Sequence, residues 1–401
     1  MRFNKALLGG SLILLITINL FNLLNLLFNL SMARLLSLAD YASLTVLISF
    51  AIIFSLFTES IQTIISKYST HEESKGKLKN IFKKSFKKAS KISTGLFIIY
   101  LLASIPLSKI LGIDYIFLAI TGLMIFIAFF SPITRGMMQG KKMFTSLGMN
   151  MASEAFIKLV LAIILVSIGI GLYGALAGII IGALMALLFS LFTLRKILSS
   201  KEKTSITLDI RKYSFPVFIA MLSIVLFIAL DVILAKIFFA PDVAGAYAIS
   251  STLAKIIFIG TQPIGKAMFP FSTESSKNRK ESQKIFMNSF ILVLVLSVIA
   301  LAAFYFIPEF IIWIYAGRVI PLSVSLLIYL GIAMALLSFA NLTLLYNLSI
   351  GKTKNFWIVL IFILFQAILL TVFNNNPIEF SLALITASAT FLWGSVLLLN
   401  R

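Results

Sequence analysis

The chain has 401 residues, of which 60% are hydrophobic and only 12% are charged, and its mean hydropathy is +1.07. A soluble domain carries about 25% charged residues, so the composition predicts an integral membrane protein and excludes an ordinary soluble enzyme. The absence of cysteine excludes disulfides, thiolate metal ligands and cysteine nucleophiles. The single histidine, His71, cannot form an imidazole metal site alone, so we expect neither a metal nor a cofactor.

The apolar segments define the predicted fold, because a spanning helix needs about 20 predominantly apolar residues. Six such helices fall in a first lobe, residues 1–200, and six in a second lobe, residues 201–401. The even number gives both lobes the same orientation, which predicts an all-α protein with a pseudo-two-fold axis along the membrane normal. The twelve predicted helices are 6–30, 42–66, 92–111, 115–133, 143–168, 174–194, 213–236, 245–269, 286–307, 321–347, 356–373 and 378–400.

The distribution of positive charge predicts the orientation in the membrane. Of the 34 lysines and arginines, 27 lie on the side of the N-terminus, four on the other side and three inside predicted helices. Such a bias places both termini in the cytoplasm and the chain in the cytoplasmic membrane. The net charge of +20 therefore reflects topology, and we expect no nucleic-acid partner.

The densest basic run is Lys83-Lys84-Ser85-Phe86-Lys87-Lys88, followed by Lys91. Its spacing suits one face of an amphipathic interfacial helix. One interpretation is a topology signal that rests on the anionic inner leaflet. The other is a phosphate-gathering entrance for an anionic lipid substrate.

A repeated phrase indicates internal duplication. Ala33-Arg34 with Asp40 returns 202 residues later as Ala235-Lys236 with Asp242. Such periodicity in a membrane chain is typical of two like lobes. Both copies fall at the predicted outer ends of helices, where an Arg34–Asp40 and a Lys236–Asp242 pair could brace a turn or latch an outer gate.

Two glycine-rich stretches match nucleotide-binding motifs in the wrong context. Residues 169–174 fit G-x-G-x-x-G but follow no strand, so we interpret them as a tight turn between helices. Residues 260–267 lie inside a predicted helix, and Ala267 replaces the magnesium-binding Ser/Thr of a P-loop, so we expect no ATPase site. Three glycines at four-residue spacing predict close helix packing instead: Gly174, Gly178 and Gly182.

Ionisable residues within predicted helices are costly in hydrocarbon and so mark candidate functional positions. Glu154 and Lys158 share one helix face four residues apart; they either neutralise each other or face a hydrated cavity. Lys255 has no acidic neighbour in its own helix, so it either faces a cavity or pairs with Asp231 of the preceding helix. Glu59 stands on a polar face near the cytoplasmic end, where a hydrated mouth is the alternative interpretation.

The first predicted helix carries a polar stripe of Asn19, Asn22, Asn25 and Asn29, which occupies an arc of roughly 120° at about 100° per residue. Such a stripe faces protein or water and not lipid. Asparagine offers donors and acceptors, which suits hydroxyl-rich sugars. Adhesion between helices is the other interpretation.

The same segments carry a family resemblance. The polar first helix leads to Ala33-Arg34-Leu35-Leu36-Ser37-Leu38-Ala39-Asp40-Tyr41, and the second half contains Phe215-Pro216, Ala240-Pro241-Asp242-Val243-Ala244-Gly245-Ala246-Tyr247 and Phe269-Pro270. Together with Gly140-Lys141-Lys142-Met143-Phe144, this resembles the polysaccharide-repeat flippases, the Wzx-type O-antigen and capsule translocases of the multidrug/oligosaccharidyl-lipid/polysaccharide exporter superfamily. The resemblance implies alternating access of two lobes that moves a polyprenyl-diphosphate-linked oligosaccharide across the cytoplasmic membrane.

On this hypothesis the intramembrane polar residues receive roles. Lys158 and Lys255 would contact phosphate or an acidic sugar. Asn22, Asn25 and Asn29 would contact hydroxyls, and Glu59, Glu154 and Asp231 would tune charge or couple ions. The partners would be the lipid-linked oligosaccharide and membrane lipids, together with a polysaccharide polymerase and glycosyltransferases.

Two other functions compete with a flippase. A multidrug or small-solute antiporter of the same superfamily would use Asp231 or Glu59 for proton or sodium coupling. A membrane glycosyltransferase or polymerase needs a sizeable extramembrane loop with carboxylates, and the predicted loops are short, so we expect a transporter and not an enzyme.

Overall fold

Helices account for nearly all of the chain that the computed structural model describes, namely residues 5–204, 215–275, 278–352 and 356–400. They are α1 (Lys5–Leu35), α2 (Leu38–Phe54), α3 (Thr58–His71), α4 (Lys75–Leu111), α5 (Tyr115–Gly122), α6 (Met124–Gly140), α7 (Phe144–Leu165), α8 (Gly171–Thr193), α9 (Arg195–Leu198), α10 (Phe215–Phe238), α11 (Pro241–Glu274), α12 (Arg279–Phe306), α13 (Pro308–Ala316), α14 (Pro321–Ser349), α15 (Val359–Val372) and α16 (Pro377–Asn400). No strand occurs in these ranges.

Within the described ranges, ten segments are long and apolar enough to cross a membrane. One of them, Phe144–Thr193, is 50 residues long and contains both α7 and α8, and the shorter apolar helix Val359–Val372 lies outside the ten. The chain is therefore an all-α integral membrane protein. The count of twelve crossings, which divides Phe144–Thr193 into two and includes α15, stays a prediction.

The turn between α7 and α8 depends on glycine. Gly169 and Gly171 have φ of +94° and +58°, in the left-handed region where a Cβ is disfavoured. The chain then returns along α7, so that a Cβ on Gly178 would lie 2.8 Å from the Cβ of Ala162. The predicted turn and the predicted close packing of the glycine face are both confirmed.

The second predicted helix is interrupted. Instead of one helix over 42–66, α2 ends at Phe54, a 3₁₀ turn covers Ser55–Phe57, and α3 follows. Ser55 Oγ donates to the carbonyl of Ile52 at 2.7 Å, and Thr58 Oγ1 donates to the carbonyl of Ala128 in α6 at 3.1 Å. A hydroxyl that bonds to a carbonyl of the preceding turn, as Ser55 does, commonly bends a helix, whereas the Thr58 bond joins α3 to α6.

Two compact units make up the chain. The first combines Met1–Leu36 with Phe50–Lys212, and the second combines Ser37–Ser49 with Tyr213–Arg401. The boundary passes through α2, whose first twelve residues, 38–49, belong to the second unit. The first copy of the repeated phrase is therefore divided, with Arg34 in the first unit and Asp40 in the second. The second copy, with Lys236 and Asp242, lies wholly in the second unit.

The basic run does not form a separate interfacial helix, because it is the first part of α4. This helix has 37 residues, or about 55 Å at 1.5 Å per residue, which is more than the hydrocarbon thickness of about 30 Å. Its packed side joins the core of the first unit, where Phe86 stacks on Phe82 and Phe130 with ring centroids 5.4 and 4.3 Å apart. The lysines occupy the remaining surface.

A strap, defined as residues 199–204, is fastened to the start of α4. Lys79 Nζ donates to the carbonyl of Ser200 at 3.0 Å, and the N–H of Lys203 donates to the carbonyl of Gly76 at 3.1 Å. Glu202 accepts from Asn80 at 2.6 Å and from Lys83 at 2.9 Å. The Lys83 and Asn80 hydrogen bonds lower the pKa of Glu202 below its ordinary value. Glu202 therefore stays charged at any pH above its ordinary pKa, and these contacts weaken only when the pH falls through the lowered pKa.

We expect Gly76→Val to release the strap, because a Cβ at this position would overlap the carbonyl oxygen of Lys201. Limited proteolysis with trypsin, followed by mass spectrometry, should show several-fold faster cleavage after Lys201 and Lys203. Gly95→Val is the matched control in the same helix, because nothing lies within 4 Å of its Cβ. Equal cleavage rates in both variants would contradict the assignment.

Candidate functional site

The first unit holds a charged cluster inside its membrane-spanning helices. Arg135 of α6 forms an ion pair with Glu154 of α7, and the two side chains are only 12% and 21% exposed. The fourth predicted helix ends at residue 133, and this end is wrong because α6 continues to Gly140, so Arg135 lies inside a helix and not in a loop. Its guanidinium supplies the charge that Glu154 needs in this environment.

Asn150 fixes the position of this ion pair. Its side chain is buried, its Oδ1 accepts from Arg135 Nε at 2.9 Å, and its Nδ2 donates to the carbonyl of Ala186 in α8 at 2.5 Å. One asparagine therefore links α6, α7 and α8 and uses both ends of its amide. Arg135 is oriented by a side chain that has little freedom of its own.

Lys158, one turn further along α7, has other partners. Its Nζ donates to Asn25 Oδ1 of α1 and lies 4.6 Å from the ring centroid of Phe28. The direct partners lie on neighbouring helices, Arg135 for the carboxylate and Asn25 for the ammonium, while Glu154 also attracts Lys158 through space. The cluster thus contains two cations and one carboxylate.

The face of α8 that carries Gly174, Gly178 and Gly182 packs against the turn of α7 that carries Glu154 and Lys158. A Cβ on Gly182 would lie 2.9 Å from the carbonyl oxygen of Glu154 and 3.0 Å from the backbone nitrogen of Lys158. Only a residue without a side chain permits this approach. The sequence placed these glycines on one face, and the structure shows that this face contacts the charge-bearing turn.

The asparagine stripe of α1 is partly engaged within its own helix. Asn25 Nδ2 donates to the carbonyl of Phe21 at 2.8 Å, and Asn29 Nδ2 donates to the carbonyl of Asn25 at 3.0 Å. Asn22 is exposed, whereas Asn25 and Asn29 are half-buried. Asn25 therefore serves adhesion between α1 and α7, while Asn22 presents its amide outward.

The second unit holds a different arrangement, built on the carboxylate of Asp231. This side chain is fully buried in α10, and its Oδ1 accepts from Lys255 Nζ of α11 at 3.0 Å. Its Oδ2 accepts from Ser251 Oγ at 2.5 Å, and Ser251 precedes Lys255 by one helical turn. The structure thus brings together the predicted Asp231 and Lys255, with one charge of each sign.

The repeated phrase occupies equivalent helix corners. Arg34 and Lys236 lie in the last turns of α1 and α10, and Asp40 and Asp242 lie in the first turns of α2 and α11. These signs complement the helix dipoles at both ends. Asp40 also accepts from Ser37 Oγ at 2.8 Å and attracts the ammonium of Lys236, which is 9% exposed.

Glu59 lies in the first turn of α3 and is exposed. One turn further along α3, Gln62 Nε2 donates to Gln139 Oε1 of α6 at 2.9 Å. The backbone approach is close here too, because a Cβ on Gly136 would lie 2.6 Å from the carbonyl oxygen of Gln62. The polar face predicted for this segment therefore packs partly against α6.

The helices of spanning length define a multi-pass membrane protein, and its fold is similar to the folds of known transporters. An inward-facing multidrug resistance MATE family transporter of the MOP superfamily matches it at 15% identity with a TM-score of 0.75, over 95% of both chains. The lipid II flippase MurJ, in an inward closed conformation, matches at 15% identity with a TM-score of 0.76, over 97% of this chain and 88% of MurJ. A MOP superfamily transporter from Pyrococcus furiosus also matches, at 15% identity with a TM-score of 0.54, over 98% of this chain and 95% of the other.

The family assignment comes from the sequence itself. Residues 8–276 match the family described as polysaccharide biosynthesis protein, so the chain belongs to that family. No curated protein matches the chain. The resemblance to polysaccharide-repeat flippases agrees with this family and with the fold shared with MurJ and the MATE transporters.

Gly182→Val is expected to displace the turn of α7 that carries Glu154 and Lys158, because the added side chain meets main-chain atoms. Overpacking of this kind costs about 1–3 kcal/mol. Denaturant or thermal unfolding of the protein in detergent should show that loss. Gly260→Val, at a helical position with nothing within 4 Å of its Cβ, is the matched control and should unfold nearer to wild type.

Asp231→Asn alone should destabilise the second unit, because it leaves Lys255 without its buried counter-charge. Breaking a buried pair on one side costs about 3–5 kcal/mol, and replacing both partners costs much less. Unfolding of Asp231→Asn, Lys255→Met and the double variant should therefore give a strongly non-additive cycle. Additive losses would mean that the two side chains do not depend on each other.

Proposed function

We propose that the protein is a flippase that moves a polyprenyl-diphosphate-linked oligosaccharide across the cytoplasmic membrane by alternating access, for surface polysaccharide biosynthesis. The family description and the fold shared with MurJ and MATE transporters support a membrane transporter in this pathway. The observation that carries the proposal is the Arg135–Glu154–Lys158 cluster, where two cations and one carboxylate lie within membrane-spanning helices.

The sign of this cluster suits a diphosphate. Glu154 forms its ion pair with Arg135 and attracts Lys158 only through space, so the direct contacts of the Lys158 ammonium are an amide oxygen and an aromatic ring. Such neutral partners stabilise the ammonium less than a carboxylate would. A phosphate oxygen that replaces the Asn25 contact would therefore gain a full charge–charge interaction in a poorly hydrated environment.

The other predicted residues take supporting roles in this proposal. Asn22, Asn25 and Asn29 line one side of α1 and offer amide groups to sugar hydroxyls. Lys255 already donates to Asp231, so it would reach a phosphate only by leaving that carboxylate. Glu59, Glu154 and Asp231 would set the local charge.

A role in surface polysaccharide biosynthesis leads to further expectations about orientation and partners. Both termini would lie in the cytoplasm, in line with the basic residues on that side. Glycosyltransferases that assemble the repeat unit on its lipid carrier would act before this step, and a polymerase that joins the repeat units would act after it.

A cation-coupled antiporter is the second candidate, because multidrug transporters share the fold and Asp231 is a buried carboxylate. Both oxygens of Asp231 are engaged, however, by Lys255 and Ser251. A sodium ion at this carboxylate would have to displace an ammonium that is already in place, so the geometry favours the flippase.

Transport by the purified full-length chain in liposomes distinguishes the two functions. A fluorescent polyprenyl-diphosphate oligosaccharide in one leaflet should become accessible to a membrane-impermeant quencher on the other side only when the protein is present. Movement of ethidium driven by a sodium or proton gradient, without movement of the lipid-linked sugar, would support the antiporter and contradict our proposal.

We expect Lys158→Gln to reduce flipping about 10- to 100-fold, since one charge-assisted hydrogen bond is worth about 1.5–3 kcal/mol. Lys158→Arg should recover part of the rate because it keeps the charge. Lys266→Gln, the same change at an exposed position of α11, is the matched control. If Lys158→Gln flips as fast as wild type at equal protein level, Lys158 does not contact the substrate.

A further inference from the structure

The lysines of α4 lie on one continuous outer face of the helix. Lys84, Lys87, Lys88 and Lys91 are all exposed and fall within an arc of roughly 100° at about 100° per residue. The same arc continues along α4 through Ile98, Ile99, Leu102 and Ile105, whose exposed fractions range from 52% to 64%. We call the four lysines the lysine row.

The length of the apolar stretch identifies what surrounds this face. Lys109, on the same arc, follows Lys91 by 18 positions, or about 27 Å along the helix at 1.5 Å per residue. This distance is close to the hydrocarbon thickness of about 30 Å. The exposed isoleucines and leucines therefore face the acyl chains, and Lys91 marks one boundary of the hydrocarbon.

The lysine row lies directly outside this boundary. Lys88 and Lys87 precede Lys91 by about 4.5 and 6 Å along the helix, and Lys84 precedes it by about 10.5 Å. The headgroup layer and the Debye length of about 8 Å at physiological salt cover this span. Lys87, Lys88 and Lys91 are thus level with the lipid headgroups, and Lys84 lies within a Debye length of them.

No acidic side chain of α4 offsets these charges. The helix carries nine lysines and no aspartate or glutamate, and the carboxylate that the strap brings to α4, Glu202, pairs with Lys83 at 2.9 Å. The other face of α4 is held in the core by Ile81, Phe86 and Ala89. The lysine row is therefore a positive surface on a helix whose opposite face is held in the core.

We propose that the lysine row is a binding surface for anionic phospholipid headgroups of the leaflet at the start of α4. Charge complementarity and its continuity with the lipid-facing part of the same helix favour a lipid over a soluble anion or a nucleic acid. Each exposed ammonium donates to phosphate oxygens, while the acyl chains of the same lipid lie along Ile98 and Leu102. The proposal does not depend on the transported substrate.

The test uses the purified full-length protein in detergent, with bound lipids counted by native mass spectrometry during titration with phosphatidylglycerol or phosphatidylcholine. The variant is Lys87→Gln/Lys88→Gln. The control with the same loss of charge is Lys75→Gln/Lys201→Gln, two exposed positions near the far end of α4, with Lys75 about 24 Å along the helix from Lys91.

Wild type and the control should prefer phosphatidylglycerol, and the variant should bind it about 10- to 30-fold more weakly, from the contribution of each near-surface lysine. Lys87→Arg/Lys88→Arg should restore the affinity, and high salt should weaken it in wild type. Phosphatidylcholine binding should not change. Three results would overturn the proposal. They are an unchanged phosphatidylglycerol affinity in the Gln variant, an equal loss of affinity in the control, and displacement of the lipid by inorganic pyrophosphate at low concentration.

Discussion

A charged side chain inside the hydrocarbon costs about 2.5–3.5 kcal/mol even on the lower scales, and this constraint organises both units. Each buried charge has a partner on a neighbouring helix, as with Arg135 and Glu154 in the first unit and Lys255 and Asp231 in the second. The pairs join α6 to α7 and α10 to α11, so neutralisation and helix packing are achieved by the same contacts. The first unit also contains Lys158, which shares the carboxylate of Glu154 with Arg135 and contacts Asn25 directly.

Close backbone approach makes these short polar contacts possible. In hydrocarbon, helices gain little from burying apolar side chains against each other, so association depends on van der Waals contact and hydrogen bonds. Gly182 allows α8 to pack directly behind the turn of Glu154, and Gly136 allows α3 to pack against α6 beside the Gln62–Gln139 hydrogen bond. Small residues and intramembrane charges therefore act together, since the glycines set the distance over which the charges interact.

Much of the fold could be predicted because the membrane imposes simple rules. Long apolar segments, the glycine turn at Gly169 and Gly171, and the list of ionisable residues within helices all follow from single-residue chemistry. Arg135 was missed because it precedes Lys141 and Lys142 and so resembles part of a basic loop. The apolar residues Met137 and Met138, which are fully buried, were the available signal that α6 continues beyond it.

The sequence by itself determined the class of protein, its helical segments and the residues whose charge is costly in a membrane. Only the tertiary structure decided which of those charges meet. Spacing within a helix suggested a Glu154–Lys158 pair, but such pairs are worth only about 0.2–0.5 kcal/mol, so contacts from neighbouring helices override them. Asn25 and Arg135 come from α1 and α6, and no local pattern encodes their distance from α7, because that distance depends on how the helices pack.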